Sequence, residues 1–277
     1  MAVTFHPHPA AVLYPKALPP LLSSLEQRLE AFSCLGIRVA LVIPFTRSFS
    51  RLSPEQFGKL LAERLKVKEV VVGHDFGFGR GRSGSPATLR EMGRRYRFRV
   101  HVLPPVNVGG KRISSRLIRE RISQGDLKKA AIMLGRPVTV VGCVVRGWAR
   151  GKKLGFPTAN LQVTAGVLPP RGVYAVWGRI RGRRYPGMAN IGFRPTFGVR
   201  HRPNFLKEIS VSDTGLPVLE VHLFGLNRSL YGESIEVEFV KRLRSERKFP
   251  SAQALAQQLS RDARRAQALL KIPTSLR

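Results

Sequence analysis

The chain has 277 residues, enough for one large or two ordinary domains. It carries 48 Lys and Arg against 17 Asp and Glu, a net charge of +31, which favours phosphate-bearing partners, nucleotides or nucleic acid. Two well-separated cysteines, Cys34 and Cys143, exclude a disulfide framework and a metal knuckle, and no run reaches transmembrane length.

The N-terminus opens on a short apolar run, Ala2 to Phe5, that leads into His6-Pro7-His8-Pro9. It lacks the character of a signal peptide, so the chain reads as soluble and cytoplasmic. Leu25, Leu29, Phe32 and Leu35 recur at helical spacing, and Gly36 ends that helix. Val39 to Phe45 is a continuous apolar run, expected as a strand covered on both faces. Ser53-Pro54-Glu55-Gln56 starts the next helix, with a capping serine, a proline at the first helical position and Gln56 three residues on. Glu69 to Val72 reads as a strand running into the loop Gly73 to Gly79, and Phe98 to Leu103 as another. A helix begins near Ile113-Ser114-Ser115 and ends near Gly125.

Strands alternating with helices predict a parallel α/β sheet with helices on both faces, which binds ligands beyond the carboxyl ends of its strands. His8, Asp75, Ser114, Ser115 and Arg119 fall at such positions and are candidates for holding a nucleotide. Each also has a plainer reading, since a histidine between prolines suits a turn and serines at a helix start suit caps.

After Gly135-Arg136-Pro137 the pattern changes to strands without intervening helices, predicting an antiparallel barrel or sandwich. The strands are Val138 to Val145, Gly172 to Ile180, Tyr185 to Ile191, Val218 to Phe224 and Ser234 to Leu243. A last helix, about Ser251 to Leu270, has Ala252, Leu255, Leu259, Ala263, Ala266 and Leu270 on one apolar face.

Between the first two of these strands lies Gly147 to Asn160, GWARGKKLGFPTAN. Its glycines allow close backbone approach to an anion, Arg150, Lys152 and Lys153 add positive charge, and Thr158 and Asn160 offer neutral oxygens of the kind Mg²⁺ accepts. It is not a Walker loop. By spacing alone it is either a phosphate cradle or a basic, glycine-rich hairpin. No Asp or Glu occurs between Asp126 and Glu208, so a catalytic carboxylate must come from elsewhere. Glu220, in the alternating run Leu219 to Leu223, shares a face with His222 and is a candidate general base, or else an exposed strand residue.

Gly151 to Leu161 (GKKLGFPTANL), Ala189 to Gly198 (ANIGFRPTFG), Leu219 to Phe224, Leu230 to Gly232 and Leu243 to Phe249 resemble, in order and spacing, the bacterial bifunctional riboflavin kinase/FMN adenylyltransferase family, also called FAD synthetase. TFHPHP, PFT, GHDFGFGRGRSG, ISSRLIR and LGRP are similar to its adenylyltransferase half. The resemblance implies an α/β nucleotidylyltransferase (Rossmann-like) domain over 1–133. It implies an antiparallel six-stranded β-barrel riboflavin kinase domain with a C-terminal helix over 134–277. The implied substrates are riboflavin, FMN and ATP, with Mg²⁺. In the kinase, Gly147, Gly151, Lys153, Gly155, Pro157 and Thr158 would bind ATP. Thr158 and Asn160 would hold the metal, Glu220 would be the base, and Arg244 and Phe249 would lie near the flavin.

Three departures from the family pattern stand out. No GxFDGxHxGH loop is present, Met1 falling just before the expected second strand. His6 stands where Asp is usual, and Arg116 where Thr is usual. The adenylyltransferase domain therefore reads as incomplete at its N-terminus. The first strand belongs mid-sheet, so its absence predicts unpaired backbone and an apolar gap. FMN formation is expected, with little or no FAD synthesis, and the alternative is a riboflavin kinase only, its partner domain lost or kept as a scaffold. The competing class, an RNA-binding β-barrel, would need exposed aromatics among its basic residues. The aromatics here sit mainly in apolar runs, so nucleic acid is disfavoured and the scattered arginines are expected to be solvated.

Overall fold

The computed structural model describes residues 1–146, 155–193 and 217–272. The chain divides into two compact units, one of residues 1–18 and 29–113, the other of residues 19–28 and those from Ser114 onward.

In the first unit, β1 (Ala2–His6) pairs in parallel with β2 (Ala40–Pro44), and β3 (Glu69–Gly73) with β4 (Arg99–Leu103). β5 (Asn107–Val108) and β6 (Lys111–Arg112) form a small hairpin. The helices are α1 (Pro9–Leu13), α2 (Leu25–Cys34), which begins among the second unit's residues, α3 (Pro54–Lys59) and α4 (Pro86–Tyr96). α3 starts as its sequence predicts: Ser53 Oγ accepts from the Gln56 N–H at 3.1 Å, and Gln56 Oε1 accepts from the Ser53 N–H at 2.8 Å. α4 uses the same device at Ser85 and Thr88. Leu61, Val72, Phe78, Leu89, Met92 and Phe98 form the core here.

The strands do not form one sheet. β1–β2 and β3–β4 are separate two-stranded ladders, and no strand joins them among the described residues. This corrects the expectation that Val39 to Phe45 is covered on both faces. No residue of β2 is fully buried, and Val39 is 57% exposed. The reason is lateral: a strand with a single neighbour leaves one row of backbone groups and part of each face to solvent. Val3 of β1 and Val71 of β3 are likewise exposed.

In the second unit, α5 (Ser115–Ser123) and α6 (Leu127–Leu134) precede a closed six-stranded barrel. Its strands are β7 (Thr139–Val145), β8 (Ala159–Ala165), β9 (Gly172–Ile180), β10 (Arg183–Phe193), β11 (Pro217–Leu223) and β12 (Ser234–Arg244). Around the wall they run β10-β11-β8-β7-β12-β9, every neighbour antiparallel. Alternate residues fill the interior, among them Val140, Tyr174, Val176, Leu219, Val221, Ile235 and Val237. Outside the wall, α7 (Ala252–Leu269) packs Ala266, Leu259 and Ala263 against Val173, Ala175, Met188, Phe224 and Leu243. Residues 19–28 are tied to the barrel: Gln27 Nε2 donates to Thr139 Oγ1 at 2.8 Å and Glu236 Oε1 at 2.6 Å.

Candidate active site

The barrel's register brings dispersed polar residues into one row. Glu220 on β11 lies opposite Asn190 on β10 and Asn160 on β8. The row continues from Asn190 to Val173 on β9 and from Val173 to Arg244 on β12. Directly paired residues point to the same side of a sheet. Leu219 and Val221 are buried in the barrel interior, so Glu220 between them faces outward, on the side where Val173 meets α7. A one-residue slip of β11 would drive the carboxylate into the core and expose two apolar side chains, which fixes this orientation. Strands lie about 4.8 Å apart, so an amide side chain starts about one strand spacing from Glu220 on either side. Asn160 is only 6% exposed, and Glu220 is half-buried.

His222 shares the outward face of β11 and fixes the segment that enters β8. Its Nδ1 lies 2.7 Å from the Pro157 carbonyl, which requires the proton on Nδ1 in the neutral ring. Phe156 and Phe224 each present edges at 5.4 Å between ring centroids. Burial among these rings lowers the His222 pKa below its ordinary value, against the smaller opposing effect of the Pro157 hydrogen bond. The turn before Phe156 depends on Gly155, whose φ of +80° is left-handed. Gly155, Pro157, Thr158 and Asn160 thus form one approach to the Glu220 row. Gly147, Gly151 and Lys153, with Arg150 and Lys152, lie outside the described residues, as does all of the RPTFG motif.

Arg244, at the other end of the row, is held from α7. Its Nε donates to Asp262 Oδ2 at 2.8 Å, and Nη1 donates to the Ser245 carbonyl at 3.0 Å. Asp262, 3% exposed, also accepts from Gln258 Nε2 at 2.8 Å. The Arg244 guanidinium lies 5.5 Å from the Phe249 ring centroid, and that of Arg247 4.8 Å from it. Gly172 permits this packing: a Cβ there would stand 2.4 Å from the Arg244 carbonyl oxygen.

The other candidate residues have partners within their own units. In the first unit, His8 Nδ1 accepts from the Ala10 N–H at 3.1 Å and caps α1, while Asp75 pairs with Arg112 at 2.8 Å. In the second, Ser114 Oγ accepts from the Leu117 N–H at 3.2 Å to cap α5, Ser115 is its first residue, and Arg119 Nε donates to the Pro20 carbonyl at 2.8 Å. Among the described residues no group of three or more His, Cys, Asp or Glu side chains could hold a metal. The donors near Asn160 instead suit a hard cation that keeps part of its water: the Thr158 hydroxyl, the Asn160 amide oxygen and the neighbouring Glu220 carboxylate.

Residues 134–270 match the riboflavin kinase family model, and residues 1–117 match that of FAD synthetase. The bifunctional riboflavin kinase/FMN adenylyltransferase of Bacillus subtilis is 37% identical over 95% of this chain and 80% of its own length. The Escherichia coli K12 protein of the same name is 36% identical, with the same coverage of both chains. The chain belongs to the bifunctional riboflavin kinase/FMN adenylyltransferase family. Members of this family are enzymes of flavin cofactor biosynthesis that use ATP and a divalent metal. Among solved structures, a protein from Streptococcus pneumoniae described as a macrolide-efflux protein superposes with a TM-score of 0.73 at 29% identity, over 94% of this chain and 80% of that one. Among the described residues of the present chain, no helix is long and apolar enough to cross a membrane.

Two residues of this site are not evident from the sequence, Asn190 in the row and Asp262 behind it on α7. Asn190 lies inside the ANIGFRPTFG motif, but only the register shows that it faces Glu220. Asp262 carried a readable signal. It is the one acid within α7, three residues after Leu259 and four before Ala266, and therefore on the helix's apolar side.

Proposed function

We propose that the barrel, residues 134–277, transfers the γ-phosphoryl group of ATP to the 5′-hydroxyl of riboflavin, giving FMN and ADP, and that residues 1–133 belong to the adenylyltransferase half. The observation that carries the kinase reading is the Asn160–Glu220–Asn190 row at the end of the Gly155–Asn160 approach. Glu220 is the general base. Its carboxylate accepts the proton of the attacking hydroxyl as the O–P bond forms and the bond to the ADP oxygen breaks. Asn160 and Asn190 flank it and orient that carboxylate and the hydroxyl, so most of the rate comes from positioning. Gly155, Pro157 and Thr158 bind ATP together with Gly147, Gly151 and Lys153. Thr158 and Asn160 hold Mg²⁺, which when bound offsets phosphate charge.

Arg244 and Phe249 flank the flavin. The tie from Asp262 fixes the arginine's plane, which supports a stacking role in place of a mobile surface charge. His8 and Asp75 of the first unit, and Ser114, Ser115 and Arg119 of the second, are the residues assigned to the adenylylation of FMN by ATP, which yields FAD and pyrophosphate. Both reactions take place in the cytoplasm. Incubation of the purified chain with riboflavin, ATP and Mg²⁺, followed by chromatographic separation of flavins, tests the reading. FMN is expected to appear first. Because β1–β2 and β3–β4 are not joined, FAD is expected to lag well behind it. Absence of FMN would refute the kinase assignment, and FAD keeping pace with FMN would refute the ordering.

A further inference from the structure

The flavin chemistry leaves the charge of the first unit unexplained. Residues 90–99, REMGRRYRFR, hold five arginines and one acid, Glu91. α4 and β4 border a shallow, open depression of about 630 Å³. Arg90, Arg94, Arg97 and Arg99 rim it, and Phe98 and Val100 line its floor. Arg95 turns away to Glu55 at 3.1 Å, and Arg99 reaches Glu69 at 3.4 Å. Arg90, Arg94 and Arg97 are exposed, and their side chains have no hydrogen-bond or ion-pair partner among the described residues. Lys66 and Lys68 extend the basic band, since the Arg99 N–H donates to the Lys68 carbonyl at 2.8 Å where β3 and β4 begin. This band lies at the amino ends of the strands, whereas nucleotides bind such sheets beyond the carboxyl ends.

Arg97 also sets the geometry of the rim. It ends α4 in the left-handed conformation, φ 62° and ψ 46°, a position that glycine fills most readily. Lys66, on the same band, is left-handed too, with φ 48°.

We propose, against the expectation that these arginines are merely solvated, that this face docks the phosphate backbone of a nucleic-acid duplex, a contact that needs none of the exposed aromatics whose scarcity disfavours binding of single-stranded RNA. Guanidinium groups match phosphate oxygens in bidentate geometry, and the concave rim of four arginines fits a projecting phosphate ridge. Phe98, the one aromatic residue lining the depression, is buried, so no platform is offered to unstacked bases, and binding is independent of sequence. The rim carries no exposed apolar side chain that would enter a membrane.

Fluorescence anisotropy with a short fluorescein-labelled DNA duplex, titrated across a salt series, tests the proposal. The wild-type chain should bind, with log K falling linearly in log salt. The R90Q/R94Q/R97Q variant should bind at least tenfold more weakly, and its salt slope should flatten by about 0.9 for every phosphate it no longer neutralises. Its rate of FMN formation should be unchanged. R97G should raise the melting temperature and weaken duplex binding together, a combination that a merely structural Arg97 would not give. Any of four results overturns the proposal: no duplex binding by the wild type; an equal loss in the charge-matched R183Q/R261Q/R264Q variant; unchanged binding by R97G; or a larger loss by the triple variant on anionic lipid vesicles than on the duplex.

Discussion

Asp262→Ala should be among the most damaging single changes in the barrel unit. The Asp262 side chain is buried and accepts two hydrogen bonds, from Arg244 Nε and from Gln258 Nε2, each at 2.8 Å. The Arg244 side chain is itself only 17% exposed. Removing the carboxylate strands a buried guanidinium, a change that costs about 3–5 kcal/mol, because the desolvation penalty remains while its compensation is gone. For a unit of this size, each kcal/mol lowers the melting temperature by roughly 2–4 °C, so a fall on the order of 10 °C is expected in a thermal melt. Arg244→Met on top of Asp262→Ala should recover much of the loss, since no charge is then left unpaired. The double variant should nevertheless bind riboflavin poorly, as read by quenching of flavin fluorescence. A fall of less than about 2 °C for Asp262→Ala, below the effect of a single kcal/mol, would show that the pair does not anchor α7, and the reasoning would fail.

Other expectations follow from the same contacts. Asn190→Ala should lower the rate of FMN formation about tenfold, the worth of one hydrogen bond of about 1.4 kcal/mol in the transition state, with an unchanged melting temperature. An unchanged rate would remove Asn190 from the site. His222 has a folded pKa depressed below 6.5, so its contribution to stability is full above that value and declines as pH falls beneath it. Melting curves of wild type and His222→Gln should therefore converge as pH drops below 6.5, and parallel curves would contradict the buried neutral ring. Ser85→Ala removes the cap of α4 and should cost about 1 kcal/mol by urea denaturation. A cost near zero would mean that tertiary packing alone starts that helix.

The barrel was legible because its strands carry both signals that a sequence can show. Apolar residues alternate along Leu219 to Leu223 and Ser234 to Leu243, and turn residues separate the runs. β8 was hidden, since Ala159 to Ala165 begins in the PTAN motif and reads first as chemistry. α4 was missed although Ser85-Pro86 repeats the cap that announced α3 at Ser53-Pro54. From sequence the α/β half reads as one sheet, because a run such as VALVIPF speaks for a strand and not for its neighbours, and lateral pairing is a property of the whole unit. The site divides in the same way. Glu220 and His222 on one face follow from period two, whereas the meeting of Glu220 with Asn160 and Asn190 depends on register across three strands. The tie between Arg244 and Asp262 depends on where α7 docks.

The most direct test of the account is the rate of FMN formation by Glu220→Gln, measured beside the wild type with riboflavin, ATP and Mg²⁺. Glutamine keeps the shape of the side chain and its neighbours in the row but cannot take the hydroxyl proton. The rate should fall about 10²–10⁴-fold, the range for loss of a general base, while the melting temperature stays within experimental error of the wild type. A well-folded Glu220→Gln variant that makes FMN at the wild-type rate would contradict the claim that this carboxylate drives the transfer.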